Sequence, residues 1–347
     1  MIDTGERESG EMDEARVIPL HTDDAITRAR RRGRPTPGPG TGADIILPLP
    51  PAQPSVDLLP EPMDEPQQTA ERRLLSALQF LHRRLEGRYE IDEFGFDSDL
   101  TEQVVLPALR PLYDSWFRVD VHGVANIPSE GGALLVANHA GGLWPLDSVM
   151  TAVAVHVEHP AHRFLRMLGA DLLFAVPGLA TLARKTGSTL ACAEDAERLL
   201  TAGELVGVWP EGFKGIGKPF RERYKLQRFG RGGFVHAAIK AGVPIIPVSI
   251  VGSEEIHPVL GNAKLMARLF DLPYFPLTPT FPWLGPLGLV PLPSKWYIEF
   301  GAAIHTEALD KEAADDAAVV FDLADRVRET IQSSLYRLLV QRRSVWR

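Results

Sequence analysis

The chain has 347 residues, 45% of them hydrophobic and 24% charged, which is enough apolar material for a large buried core. Its net charge of −8 gives no general attraction to nucleic acid, so an anionic ligand has to meet a local basic patch. The single cysteine, Cys192, excludes an intramolecular disulfide and a cysteine-built zinc site, and fits a reducing cytoplasm.

Residues 1–63 carry an arginine cluster, "RARRRGR" (28–34), then a proline-laced stretch poor in aromatic residues. Such a composition buries too little apolar surface to offset the entropy of ordering, and it predicts a disordered Arg/Pro-rich tail. Residues 1–20 are acidic and mixed, without the apolar core of a secretory signal. A helical segment is expected over 64–114: Asp64 can cap it, Pro66 suits its first turn, and Leu74, Leu75, Leu78, Leu81 and Leu85 form one apolar face.

From about residue 115 strands alternate with helices. "FRVDVHG", "GALLVANH", "ELVGVWPEG", "PIIPVSIVG" and "KWYIEFGAAI" read as strands. "AEDAERLLTAG" and "GRGGFVHAAIKAG" read as helices stopped by Gly203 and Gly242. The alternation predicts an α/β domain with a mostly buried sheet flanked by helices. "EEIHPVLGNAKLMARLF" is read as a further helix, and the end of the chain, from Asp310, as a covering helix with Val319, Val320, Leu323, Val327, Ile331, Leu335 and Leu338 on one side.

The run Leu272–Ser294 is uncharged and long enough to span a bilayer, but its seven prolines would break the backbone hydrogen bonding a membrane demands. Prolines at every third position (273, 276, 279, 282) suit a polyproline II segment. Its apolar side chains, Tyr274, Phe275, Phe281, Trp283, Leu284 and Leu287, either face a membrane or close an apolar pocket.

Chemistry gathers where strands end. "ALLVA" runs into Asn138-His139, with Asp147 following, and "LVGVW" runs into Pro210-Glu211-Gly212. A histidine titrates near neutral pH, and a carboxylate on its second nitrogen fixes the tautomer and stabilises the imidazolium. Taken singly, such a histidine is more often a satisfied structural group, and a Pro-Glu-Gly is simply a turn.

In combination, "NHAGGLWPLD", "VWPEGFK" and "VPIIPVSIVG" resemble the motifs of the glycerophospholipid acyltransferase family, in the family's order, over roughly residues 115–305. The resemblance implies a mixed sheet flanked by helices, an acyltransferase domain over 115–305 and a C-terminal helix over 306–347. It further implies transfer of a fatty acyl group from acyl-CoA, as co-substrate, or from a carrier protein, to a glycerolipid hydroxyl. His139 would be the general base and Asp147 its partner, while Asn138, Glu211, Gly212 and Lys214 would shape the acceptor site. No metal and no bound cofactor are implied, because a thioester is already activated.

Two features depart from the family. Seven residues separate His139 from Asp147 where about one helical turn is usual, and Gly141, Gly142 and Pro145 predict a loop returning Asp147 to the histidine. The family's second motif places a phosphate-binding arginine where Cys192 stands here, with Arg184 and Lys185 as nearby substitutes; a missing arginine points toward the branch acting on monoacylglycerol or diacylglycerol. The basic run after Glu211 offers Lys218, Arg221, Arg223 and Lys225 for the donor's phosphates or for anionic lipid headgroups, with a solvated loop as the plain alternative. Stacking aromatics are sparse there, against nucleic acid. The expected setting is cytoplasmic and peripheral to a membrane. Alternatives are a lipid esterase or thioesterase using the same histidine on water, against which no "GxSxG" elbow occurs, and an inactive membrane-binding homologue.

Overall fold

The computed structural model describes residues 65–175, 178–230 and 232–346, with side chains from residue 74 onward. The disordered tail expected over residues 1–63 lies outside the described residues.

The strands are β1 (Asp120–His122), β2 (Ala133–Ala137), β3 (Leu165–Gly169), β4 (Ser188–Leu190), β5 (Leu205–Val208), β6 (Ile245–Val251), β7 (Gly261–Asn262), β8 (Pro276–Leu277) and β9 (Tyr297–Phe300). Seven of them form one mixed sheet in the order β1-β9-β6-β2-β5-β3-β4, and β7 and β8 make a small antiparallel ribbon. β6, β2, β5, β3 and β4 run parallel, while β9 lies antiparallel to β6 with β1 parallel to β9. The principal helices are α1 (Glu65–Leu85), α2 (Leu146–Glu158), α3 (Ala193–Thr201), α4 (Gly233–Ala241), α5 (Lys264–Leu269) and α6 (Ala317–Gln341).

β2 is apolar at every position because both of its faces are covered, as an interior parallel strand requires. Leu134 and Val136 pack with side chains of α3, α4 and α6. Ala133, Leu135 and Ala137 point the other way, toward Met150 and Val153 of α2 and toward Tyr113, Phe117 and Trp296. Since the five parallel strands share a direction, the loops after β2, β5 and β6 emerge at one rim. Ligand sites of open α/β sheets form at such a rim.

Several sequence expectations shift. α6 begins at Ala317 rather than Asp310, because the Asp316 carboxylate accepts from the Ala318 amide and sets the start. Only Lys264–Leu269 of the stretch 254–270 forms a regular helix after the short turn Ser253–Glu255, since Pro258 and the β7–β8 pairing interrupt it. Residues 272–294 do not run as polyproline II: Pro276–Leu277 pairs with Gly261–Asn262, and Gly285–Leu289 forms a 3-10 turn. Trp283, Leu284 and Leu287 project outward, whereas Tyr274, Phe275 and Phe281 are half-buried.

α1 docks through its polar side. Ser76 bonds Gln103, Arg83 pairs with Asp99, and Arg84 pairs with the buried Asp97. The leucine stripe predicted as its apolar face, Leu74 to Leu85, therefore faces outward. Among the described residues no helix is long and apolar enough to cross a membrane.

Candidate active site

At the end of β2 the chain turns through Asn138. Its side-chain oxygen accepts from the Ile250 amide at 2.7 Å and its amide nitrogen donates to the Ile250 carbonyl at 3.0 Å. Asn138 is fully buried and both ends of its amide are used, so it locks β2 to β6 rather than touching a substrate as the sequence suggested.

His139 follows at the rim. Its Nδ1 lies 2.7 Å from Oδ2 of Asp147, the second residue of α2. Asp147 is completely buried, and its carboxylate also accepts from the amides of Ala140 (2.8 Å) and Ser148 (2.9 Å). With that carboxylate on Nδ1, the proton sits on Nδ1 and the lone pair on Nε2. Among the described residues Nε2 has no protein partner, and the imidazole is 13% exposed. The Trp209 ring, at the end of β5, lies 6.1 Å from the imidazole and walls one side.

The lengthened segment between His139 and Asp147 is thus a built loop. Gly141 and Gly142 have φ of 125° and 69°, a region that glycine occupies freely. A Cβ on Gly142 would meet the His257 carbonyl oxygen at 2.8 Å. The Gly142 amide donates to the Ile216 carbonyl at 3.1 Å, and its carbonyl accepts from the Tyr274 hydroxyl. The buried His257 ring lies between the carbonyls of Gly141 (3.0 Å) and Leu289 (3.2 Å). Burial holds His257 below the usual histidine range, and it raises Tyr274, with the Asp147 charge adding to that rise. His257 carried no sequence signal and Tyr274 only that of an apolar side chain in the 272–294 run, because each acts on backbone atoms distant in the chain.

Glu211 is buried with its carboxylate turned inward. One oxygen accepts from the His139 amide at 2.9 Å and the other from the Gln227 amide at 2.6 Å. The Pro-Glu-Gly turn therefore sets the position of the histidine backbone. A Cβ on Gly215 would meet both Glu211 and His139, which shows how closely this turn packs on the histidine.

Lys218 lies outside any donor-phosphate site. Its ammonium is buried 2.9 Å from Glu254 and 3.5 Å from Glu211. Burial opposes its charge, but the two carboxylates outweigh that and hold it above the ordinary lysine range. Two acids sharing one buried lysine leave an excess of negative charge, and burial pushes Glu254 up to about 7. Next along the chain, Glu255 pairs with Arg342 at 2.9 Å and accepts from the Tyr224 hydroxyl. Glu254 and Glu255 follow the β6 strand end, the one signal in sequence that could have found them. Gly212, Lys214, Arg221, Arg223 and Lys225 are exposed, and Lys214 lines a cavity of about 330 Å³ with Phe213, Gly217 and Tyr274.

Arg184 and Lys185 precede β4, so they stand at the opposite rim from His139; the Arg184 guanidinium lies over Phe174 instead. Topology removes them as substitutes for the absent arginine. Cys192 lies just beyond β4 at the site's own rim, and burial raises its thiol, which keeps it protonated. Among the described residues no cluster of acidic, histidine and cysteine side chains fits a metal ion.

A buried carboxylate behind one imidazole nitrogen, with the other nitrogen facing outward, is an arrangement for taking a proton. An acyltransferase family model matches residues 118–251, the stretch that carries both the histidine loop and the Pro-Glu-Gly turn. An uncharacterized protein of Mycobacterium tuberculosis is 59% identical over 267 residues, covering 77% of this chain and 74% of that protein. The chain belongs to the acyltransferase family. Another relative, from Mycobacterium leprae, is 58% identical over 77% of this chain and 72% of its own length. A cow protein named "DGAT1/2-independent enzyme synthesizing storage lipids" is 27% identical over 63% of this chain and 64% of that protein. The solved 1-acyl-sn-glycerophosphate (LPA) acyltransferase PlsC from Thermotoga maritima aligns with a TM-score of 0.45 at 19% identity, covering 77% of this chain and 97% of that one.

Proposed function

We propose that this acyltransferase moves a fatty acyl group from an acyl thioester, acyl-CoA or an acyl carrier protein, to a hydroxyl of a glycerolipid, with His139 as general base. The observation that carries this reading is the His139–Asp147 pair: 2.7 Å, a buried carboxylate, and an outward Nε2. Nε2 takes the acceptor's hydroxyl proton as the oxygen attacks the thioester carbon. Collapse of the tetrahedral species breaks the C–S bond, and the departing thiolate takes the proton back from the imidazolium. The Asp147 carboxylate, facing Nδ1, stabilises the imidazolium between these steps.

For the acceptor we favour a neutral glyceride. Arg184 and Lys185 stand at the wrong rim to hold a phosphate, Cys192 carries no charge, and the name of the cow relative points to storage lipid. Lys214, exposed beside the smaller cavity, is left to meet a charged acceptor. The exposed Leu265 and Leu269 of α5 and Phe270 just after it, with Trp283 and Leu287, supply an apolar surface for peripheral contact with the bilayer that holds such a substrate.

The test is labelled acyl-CoA with diacylglycerol, monoacylglycerol and lysophosphatidic acid as competing acceptors. Neutral glycerides are expected to be acylated first, and His139→Ala to lose roughly a thousandfold or more in rate while keeping its circular dichroism. Full transfer by the folded His139→Ala protein removes the mechanism, and preference for lysophosphatidic acid removes the acceptor assignment.

A further inference from the structure

A second depression, of about 850 Å³, opens between the turn at Phe220–Arg223, residues 258–260 and the C-terminal stretch 336–346. Its walls carry Arg223, Lys225 and Arg343, all exposed and, among the described residues, none in an ion pair. Arg342 is also at this depression. It is buried on Glu255, so that carboxylate is already neutralised, and its Nε has no protein partner. In a chain of net charge −8 this is a local excess of positive charge within a concave surface. Aromatic faces stand among the cations: the Arg223 guanidinium lies 4.6 Å over the Phe220 ring, and Tyr336 and Trp346 are about half exposed.

The groove is neighbour to the smaller cavity that Lys214 and Tyr274 line. Pro219 and Glu222 line the smaller cavity while Phe220 and Arg223 line the larger, so one turn of chain is the wall between them. On the near side, Lys218 contacts Glu211, which holds the His139 amide, and Tyr274 holds Gly142.

Guanidinium groups recognise phosphate oxygens, and exposed rings offer a face to a base. Resting on the acyl-transfer reading, we propose that this groove holds the phosphorylated adenosine end of coenzyme A. Arg223, Lys225 and Arg343 meet its phosphates, Tyr336 and Trp346 flank the adenine, and the thioester arm crosses the 219–223 turn toward His139. Anionic membrane is the poorer occupant, because the cations line a hollow while the outward apolar side chains lie on α5 and at 283–287. The sequence pointed to Lys218, Arg221, Arg223 and Lys225 for the donor. The structure withdraws Lys218 into its ion pairs, leaves Arg221 outside the groove, and adds Arg343 from the far end of the chain.

The experiment is calorimetric titration of the full chain with CoA, 3′-dephospho-CoA and pantetheine, for wild type and for Arg223→Ala/Arg343→Ala. In parallel, the ratio of kcat/KM for palmitoyl-CoA to that for palmitoyl-pantetheine is measured. Loss of each arginine is expected to weaken CoA binding about tenfold. The double variant's donor ratio should fall by roughly a hundredfold, and its discrimination between CoA and dephospho-CoA should shrink. Unchanged CoA affinity and an unchanged ratio overturn the proposal. So does intact CoA binding with lost binding to phosphatidylglycerol vesicles, which would make the groove a lipid contact. Arginine-dependent CoA binding without transfer from either donor would keep the groove as a nucleotide site and strike the acyl-transfer reading instead.

Discussion

Replacing Asp147 by asparagine separates the two tasks assigned to that carboxylate. Oδ2 faces two donors, His139 Nδ1 and the Ala140 amide, and Oδ1 faces one, the Ser148 amide. The asparagine will therefore turn its oxygen toward His139 and Ala140 and place its NH₂ against the Ser148 amide. The histidine tautomer survives, one buried hydrogen bond is lost at about 1–3 kcal/mol, and the negative charge behind the ring is gone. With roughly 4 Å between charge centres and an effective dielectric near 20, that charge favours the imidazolium by about 4 kcal/mol. Full expression in the transition state would be a factor of about a thousand, and partial proton transfer lowers it to between roughly a hundred and a thousand. Asp147→Ala, which also frees the ring, should be slower still. The assay is initial-rate acyl transfer from palmitoyl-CoA to diacylglycerol at saturating substrate, with thermal unfolding as a control for folding. Turnover of Asp147→Asn within about threefold of wild type, in a folded protein, would refute the charge argument.

Two further outcomes test the surroundings of the pair. Gly142→Ala forces a Cβ to 2.8 Å from the His257 carbonyl at a φ of 69°, so the loop must shift; kcat/KM should fall at least about tenfold while the melting temperature changes little, and wild-type kinetics would show that the loop's path is not catalytically constrained. Glu254 holds its proton more tightly when folded, up to about 7 against an ordinary 4.5, so its contribution is complete at low pH and lost as pH rises through that window. Relative to Glu254→Gln, the wild type should lose up to about 3 kcal/mol between pH 5 and pH 8 in urea unfolding, and a pH-independent gap between the two proteins would contradict the burial argument.

How much of this was legible beforehand depends on the range of the interaction. The apolar runs that became β2, β5 and β6 were readable because an interior strand must be apolar on both faces, and the helix ends at Gly203 and Gly242 because a left-handed residue is needed there. The loop character of residues 139–145 followed from its glycines and proline. The C-terminal boundary was misplaced because the cap at Asp316, not the start of the polar stretch, decides it.

What the sequence determined by itself is the local chemistry: a histidine and an aspartate beyond one buried strand, a Pro-Glu-Gly beyond another, and a strong basic run after it. What only the tertiary structure decided is which of those groups are used on the protein itself. Asn138, Glu211 and Lys218 look like ligand-binding residues in one dimension, yet each is buried against partners that come from distant parts of the chain: Ile250, Gln227 and Glu254. Conversely, Arg343 enters a groove with Arg223 only because α6 returns the end of the chain to the rim of the sheet. A buried polar group must find its partner wherever the fold brings one. Residue type and spacing record the need for that partner, and strand order decides who answers it.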